Sequence, residues 1–404
     1  MNVIERFLNY VSYDTQSDEN SSKSPSTSKQ KVLGAFLAEE LRAIGLVDVS
    51  MDKYGYVYGR LPANVPGDFP VLGLMAHMDT SPDCSGAGVA PRIVEYTGGD
   101  IVLNEELGIV MSPAQFESLA DNVGKHLIVT DGTTLLGADD KAGIAEIFTA
   151  LETVVSQDLP HGDLRVVITP DEEVGRGTER LDLGRFGADY GYTVDGGTLG
   201  EIEYENFNAA AATASFTGVS IHPGYAKGKM KNACLMAQEF AALLPEMETP
   251  EHTEGYEGFF HLHAMEGGVE SAKLMYLIRD HDGERFAARK ECFLSAARQI
   301  EARWGAGSIH TEIRDTYYNM REKILPHMYI VERAVAAMES CGVTPRIQPI
   351  RGGTDGALVS YMGIPCPNLS TGGENFHGHF EYIPVEDMET MVAVLCRLIT
   401  DIVK

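Results

Sequence analysis

Val71-Leu-Gly-Leu-Met-Ala-His-Met-Asp79 is an apolar run of strand length that ends in a histidine and an aspartate two residues apart. Side chains alternate across a strand, so positions i and i+2 share a side, and the run delivers His77 and Asp79 together at its exit. One of the two can bind a metal ion while the other fixes a nearby ring or carboxylate. Two further β-like runs end in acid. Leu164–Ile168 leads into Pro170-Asp-Glu-Glu-Val-Gly175, and Tyr190–Val194 leads into Asp195-Gly-Gly197. Strand exits that face one crevice are how an α/β protein gathers residues distant in sequence.

Working outward, Lys141–Val155 reads as a helix with Ile144, Ile147, Phe148 and Leu151 as its buried stripe and Asp140 as its N-cap. Residues 2–13 and 30–45 are also helical in pattern. In the second, Val32, Phe36, Leu37, Leu41 and Ile44 fall near one face and Gly45 stops it. Residues 15–29, rich in Ser, Thr, Asp and Lys, read as a polar loop with no core content. Tyr54–Leu61 is a strand, followed by a turn at Pro62-Ala-Asn-Val-Pro-Gly-Asp68. Alternating strands and helices imply an α/β fold with a mostly parallel sheet and helices on both faces.

The pattern changes near residue 207. Phe207–Gly218 alternates small residues with β-formers. A helix over 230–244, a loop over 246–257, a strand Met275–Arg279, a helix over 283–303 and a strand Ser308–Arg314 follow. The order strand–helix–strand–strand–helix–strand predicts a four-stranded sheet with two helices on one side. Residues 207–318 are therefore expected to form an inserted α+β lid within a discontinuous larger domain, 1–206 plus 319–404. Afterwards the α/β pattern resumes, with helices over 327–340, 354–362 and 385–402 and strands over 345–350 and 365–369.

Composition narrows the function classes. There are 32 Lys plus Arg against 59 Asp plus Glu, a formal charge of −27 that repels nucleic acid and anionic membrane surfaces. No window reaches the roughly 18 apolar residues of a membrane span. The first residues have no basic n-region or apolar signal core, and the six cysteines form no CxxC pair. A cytoplasmic protein with reduced thiols is expected.

The remaining motifs carry chemistry. In Gly137-Ala-Asp-Asp-Lys-Ala-Gly143, Asp139 lies in the loop before the helix and can project into the crevice. One carboxylate can bridge two metal ions about 3.5–4 Å apart. Glu172 and Glu173 are neighbours in extended chain and point different ways. One can bind metal, and the other can take a proton from water and pass it to a leaving amine. Asp195 precedes two glycines that permit a tight turn. Phe376-His-Gly-His379 offers two histidines, with Glu381 close behind. Each segment alone also reads as a cap, a turn or a solvated loop. Five together point to a metal-dependent hydrolase.

Longer runs carry a resemblance. They include Phe7-Leu-Asn-Tyr-Val11, His77-Met-Asp-Thr-Ser-Pro-Asp-Cys-Ser-Gly86, Leu135–Ile147, Thr169–Gly175, Thr253-Glu-Gly-Tyr-Glu-Gly-Phe259, Tyr317–Lys323 and Ile350-Arg-Gly-Gly-Thr-Asp-Gly356. Over its whole length the chain resembles the tripeptide aminopeptidases of the zinc-dependent exopeptidase superfamily, which also holds carboxypeptidase G and the succinyl-diaminopimelate desuccinylases. The resemblance implies two zinc ions. His77 and Asp195 would hold one, Glu173 and His377 the other, and Asp139 would bridge them through a cis peptide to Asp140. Asp79 would orient His77, and Glu172 would be general base and then acid. His377, not His379, is the implied ligand. His222 in His-Pro-Gly matches a histidine that hydrogen-bonds the oxyanion. Arg279 and Arg351 are the candidates for a peptide's terminal carboxylate.

A short peptide is the implied substrate and a homodimer through the lid the implied assembly. Zinc fits the mixed nitrogen and oxygen ligands, and cobalt or manganese can substitute. The nearest rivals are a dipeptidase, a carboxypeptidase or an N-acyl amino acid deacylase of the same superfamily. A noncatalytic metal-stabilised binding protein would leave Glu172 without a use. A glycosidase with paired carboxylates would leave His77 and His377 unexplained.

Overall fold

The computed structural model describes residues 1–403. The chain separates into two compact units. The larger comprises Met1–Tyr204, Glu322–Gln348 and the chain from Thr354 onward, and the smaller comprises Glu205–Arg321 with Pro349–Gly353. Arg351 thus goes with the smaller unit, although its place in sequence is beyond the second linker.

In the larger unit eight strands form one mixed sheet, in the order Val47–Met51, Val57–Leu61, Leu164–Thr169, Leu72–His77, Tyr190–Gly196, Asn368–Ser370, Glu201–Glu203 and Arg346–Ile347. The middle four are mutually parallel and are flanked on each side by an antiparallel neighbour. Their register builds the site. His77 is level with Thr169, and Met75 is level with Thr193. The residues just past these positions therefore leave the sheet at one edge.

The helix Ala138–Ser156 packs on the strands Leu72–His77 and Tyr190–Gly196 and is covered by the helices Val3–Val11 and Val385–Asp401. The expected stripe of Ile144, Ile147, Phe148 and Leu151 is fully buried. Ala142, Ala145 and Ala150 on the other faces are buried as well, so the first turns are enclosed, while Val155 near the end is exposed. Close approach to the sheet requires Gly143, where a Cβ would fall 1.9 Å from the Val194 carbonyl oxygen.

Several expectations need correction. Val32 is 59% exposed, because the helix Gln30–Ile44 buries the row Leu33, Leu37, Leu41 and Ile44 instead. The strand expected over 345–350 is only Arg346–Ile347, flanked by Pro345 and Pro349, which cannot donate to a ladder. The polar loop 15–29 does have core content: Thr15, Ser17 and Ser26 are buried. Periodicity assigned nothing between Arg92 and Val129. That stretch forms the hairpin Ile101–Asn104 with Ile109–Met111, and the strands Arg92–Glu95 and His126–Val129 of a small sheet completed by Tyr382–Pro384.

The smaller unit holds a four-stranded antiparallel sheet in the order Phe259–Gly267, Ser271–Asp280, Asn208–Thr217 and Ile309–Tyr317. Alternate residues Ala210, Ala212, Ala214 and Phe216, with Leu274, Tyr276 and Ile278, face Met236, Phe240, Phe293 and Ile300 of the helices Ala233–Ala242 and Gly283–Trp304. That is the expected architecture. Periodicity does not reveal the strand Phe259–Gly267, because beyond Phe260 it is mostly exposed and carries His261 and His263 among its apolar residues. Among the described residues no helix is long and apolar enough to cross a membrane, and the six cysteines are unpaired.

Candidate metal centre

His77 ends its strand almost fully buried, and its two ring nitrogens face different partners. Nε2 lies 2.8 Å from Asp139 Oδ1 and 3.3 Å from Asp195 Oδ1. Nδ1 lies 3.0 Å from the backbone oxygen of Asp79 and 3.4 Å from its carboxylate. The Asp79 carboxylate also has a second task. It accepts the backbone N–H of Glu172 at 3.0 Å and of Glu173 at 3.2 Å, and so ties the acidic turn to the neighbouring strand exit.

Asp139 stands at the middle of the cluster. One oxygen faces His77, and the other lies 3.1 Å from His377 Nε2. His377 Nε2 is also 2.9 Å from Glu173 Oε2. His379 does not join the group: its Nδ1 lies 3.4 Å from Cys84 Sγ. Asp139 and Asp140 are joined by a cis peptide and break the helical φ/ψ at the start of their helix. Asp140 does cap the regular turns, accepting the Gly143 N–H at 3.2 Å, and its other oxygen takes the His77 N–H at 3.1 Å.

The loop bearing Asp139 is held from behind by Glu381. Its buried carboxylate accepts N–H groups from Leu136 at 2.7 Å, Gly137 at 2.8 Å and Asp139 at 3.1 Å. Two further acids had no assigned part. Asp355, from Gly352-Gly-Thr-Asp-Gly356, accepts the Thr169 hydroxyl at 2.7 Å and lines a small recess with His77, Glu172, Thr193 and Asp195. A Cβ on Gly177 would collide with its carboxylate. Asp171 is buried beside Ser26 and Gln30. The glycines around Asp355 were the available sequence signal for it. Nothing in the sequence pointed to the partners of Asp171.

So many acids in one buried place shift one another. Burial, reinforced by the Asp195 charge, pushes Glu172 well above the usual carboxylate range. Burial with the Asp139 charge lifts Glu173 to about 8. Asp195 rises to about 6 and Asp355 to about 7, burial again being the main cause. Asp139 goes the other way: burial opposes its charge, and hydrogen bonds from His377 and His77 overcome it. The same contacts raise both histidines against the effect of burial, His377 to about 11.

The donor set fits divalent cations. Nitrogen and oxygen atoms of His77, Asp139 and Glu173 converge within 4.8 Å of one another, and so do those of His77, Asp140 and Asp195. Glu173 Oε1 is buried without a hydrogen-bond partner, and Asp139 turns one oxygen to each histidine. Positive charge here would offset the mutual repulsion of the carboxylates. Mixed imidazole and carboxylate donors are those of two-metal hydrolases.

The other three candidates lie in the smaller unit. His222 caps a short turn, accepting the Gly224 N–H on Nδ1 at 3.1 Å. Arg351 is engaged: its guanidinium donates to the carbonyls of Thr253, Gly255 and Glu257 and to the Thr253 hydroxyl, and lies over the rings of Phe207 and Phe259. Arg279 donates through Nη1 to the Arg351 carbonyl, while its Nε is buried without a hydrogen-bond partner.

Known proteins share this chain's pattern. Residues 137–401 match the model of peptidase family M20/M25/M40. Peptidase T of Caldanaerobacter subterraneus subsp. tengcongensis is 52% identical over 399 residues, covering 98% of each chain. Peptidase T of a Geobacillus species is 54% identical, covering 98% of this chain and 97% of its own. Among solved structures, aminopeptidase PepT from Bacillus cereus superposes with a TM-score of 0.79 at 26% identity, covering 100% of this chain and 98% of that one. A tripeptidase from Staphylococcus aureus shares the fold with a TM-score of 0.80 at 23% identity, covering 99% and 98%. On these matches the chain belongs to peptidase family M20/M25/M40.

Proposed function

We propose that this protein removes the N-terminal residue from short peptides, tripeptides above all, using two zinc ions and Glu172 as general base. The observation that carries this reading is Asp139, with one carboxylate oxygen toward His77 and the other toward His377. A carboxylate so placed suits a bridge between two ions. His77 and Asp195 would hold one ion, and Glu173 and His377 the other.

When bound, a pair of divalent ions makes water acidic and polarises the scissile carbonyl. The protein's own groups do the rest. Asp79 holds the N–H groups of both glutamates, so the turn presents Glu172 and Glu173 to different tasks. Glu172 takes a proton from the attacking water and returns it to the departing amine. Burial raises its affinity for protons, which suits a group that must accept one. Buried Glu381 keeps the Asp139 loop from shifting as charge develops. To His222 we assign hydrogen bonding to the oxyanion, and to Arg279 the peptide's terminal carboxylate. To Arg351 we assign the same carboxylate, with its guanidinium also holding the loop 253–257. Cytoplasmic location and a homodimer are further parts of this reading.

The test is to strip the protein with a chelator, restore zinc, cobalt or manganese, and offer di-, tri- and tetrapeptides and N-acetyl amino acids. Metal-restored release of the first residue from tripeptides is the expected result. Preferential cleavage of N-acetyl amino acids, or turnover untouched by chelation, would overturn the reading.

A further inference from the structure

Residues 15–30 contribute nothing to the cluster, yet they grip two of the loops that do. At one end Gln16 bridges to Thr80, and the Ser17 N–H donates to the Thr80 carbonyl at 3.1 Å. Gln16 Nε2 donates to the carbonyl of Cys84 at 3.0 Å. At the other end Ser26 and Gln30 enclose Asp171. The Ser26 N–H and hydroxyl reach its two carboxylate oxygens at 2.7 and 2.5 Å, and Gln30 Nε2 reaches Oδ1 at 2.7 Å. Gln30 Oε1 in return accepts the Asp171 N–H at 3.2 Å.

Asp171 has φ of 59°, in the left-handed region that side chains other than glycine seldom adopt. It is 1% exposed and stands one residue before Glu172. Its carbonyl accepts the Arg176 N–H at 2.9 Å and closes the turn. Three hydrogen bonds from Ser26 and Gln30 converge on this one buried carboxylate. The turn is thus restrained twice, by Asp79 on the backbone of Glu172 and Glu173, and by Ser26 and Gln30 on the side chain before them.

We propose that Asp171 is a positioning residue: the clamp from Ser26 and Gln30 holds the left-handed turn that aims Glu172. The inference rests on reading Glu172 as the base, and it gives the polar loop 15–29 a part in the reaction. Misplacing a reacting group by about 1 Å can cost on the order of 100-fold in rate.

Glycine tolerates the left-handed backbone, so Asp171→Gly removes the clamp without adding strain. The pair Ser26→Ala with Gln30→Met removes it from the other side, and Asp171→Asn keeps part of it. At saturating zinc, Asp171→Gly and the double variant are expected to lower kcat about 30- to 100-fold with KM within about threefold. Asp171→Asn should fall between them and wild type. In metal-free protein, amide hydrogen exchange over residues 172–175 should quicken about tenfold or more in Asp171→Gly, with the rest of the chain unchanged. A glycine variant with kcat within about twofold of wild type, or with unchanged exchange in the turn, overturns the proposal. Should Glu172→Gln keep wild-type turnover, it is the base reading that fails. The exchange measured without metal still decides whether the clamp holds the turn.

Discussion

Glu381 carries a prediction that follows directly from geometry. Its buried carboxylate satisfies three backbone donors, with Leu136 and Gly137 on Oε2 and Asp139 on Oε1. In Glu381→Gln the remaining oxygen can keep the first two, and the new amide then opposes the Asp139 N–H. One buried donor left without an acceptor costs about 1–3 kcal/mol. At 1.4 kcal/mol per factor of ten, that is roughly 5- to 150-fold more frequent opening of the loop. Glu381→Ala strands all three donors, for a cost of about 3–9 kcal/mol where no water replaces the carboxylate. Amide hydrogen exchange at Leu136, Gly137 and Asp139 reads this directly, without requiring that the two units unfold together. It should be run near pH 8, above the value of about 7 to which burial lifts Glu381, so that the wild-type group is ionised. Metal retention after dialysis should fall about 10- to 100-fold in the alanine variant, as when a group supporting a ligand is lost. Wild-type exchange at these three amides in Glu381→Ala would refute the claim that this carboxylate holds the Asp139 loop.

Other consequences concern charge and packing. In chelated protein, burial raises Asp195 to about 6 and Glu173 to about 8, so the native state keeps protons that the unfolded chain releases from about pH 4 upward. His377, raised to about 11, likewise contributes stability that is fully present below about pH 6.5 and lost as the pH climbs from there toward about 11. All three run the same way. The melting temperature of metal-free protein should therefore decline between about pH 5 and 8, and added zinc should reduce the decline; a flat profile without metal would contradict this. Glu146 is fully buried with both oxygens lacking hydrogen-bond partners, and burial raises its pKa. Glu146→Leu should stabilise the fold by about 1–3 kcal/mol near neutral pH, with the advantage growing as pH rises above the usual carboxylate value; denaturant unfolding at two pH values checks both. Gly143→Ala puts a Cβ 1.9 Å from a backbone oxygen, and should cost about 3 kcal/mol or prevent folding, read by thermal unfolding and soluble yield.

The strand exits were legible in the sequence because two local rules coincide there. Alternation in Leu72–His77 and the short parallel register with its neighbours place His77, the acidic turn and Asp195 at one edge. The inserted sheet was legible from the order of its elements, yet the strand Phe259–Gly267 was not, because much of it is exposed. Partners far apart in the chain left no local trace. Asp171 and Ser26 are separated by 145 residues, and nothing in a Ser/Thr-rich loop says that it will cover a carboxylate. Arg351 likewise gives no local sign of its contacts: its guanidinium donates to carbonyls of the loop 253–257, far from it in the chain. His377 and His379 could not be separated by spacing alone, and the fold separates them by placing only the first beside Asp139 and Glu173.

Under the proposed mechanism Glu172 moves the proton while its neighbours hold the metal. Glu172→Gln should be purified, its metal counted and its tripeptide turnover measured at saturating zinc. The expected result is the same zinc content as wild type, two ions per chain in each, with kcat lower by about 100- to 10,000-fold. Turnover near the wild-type rate with both ions in place would contradict it.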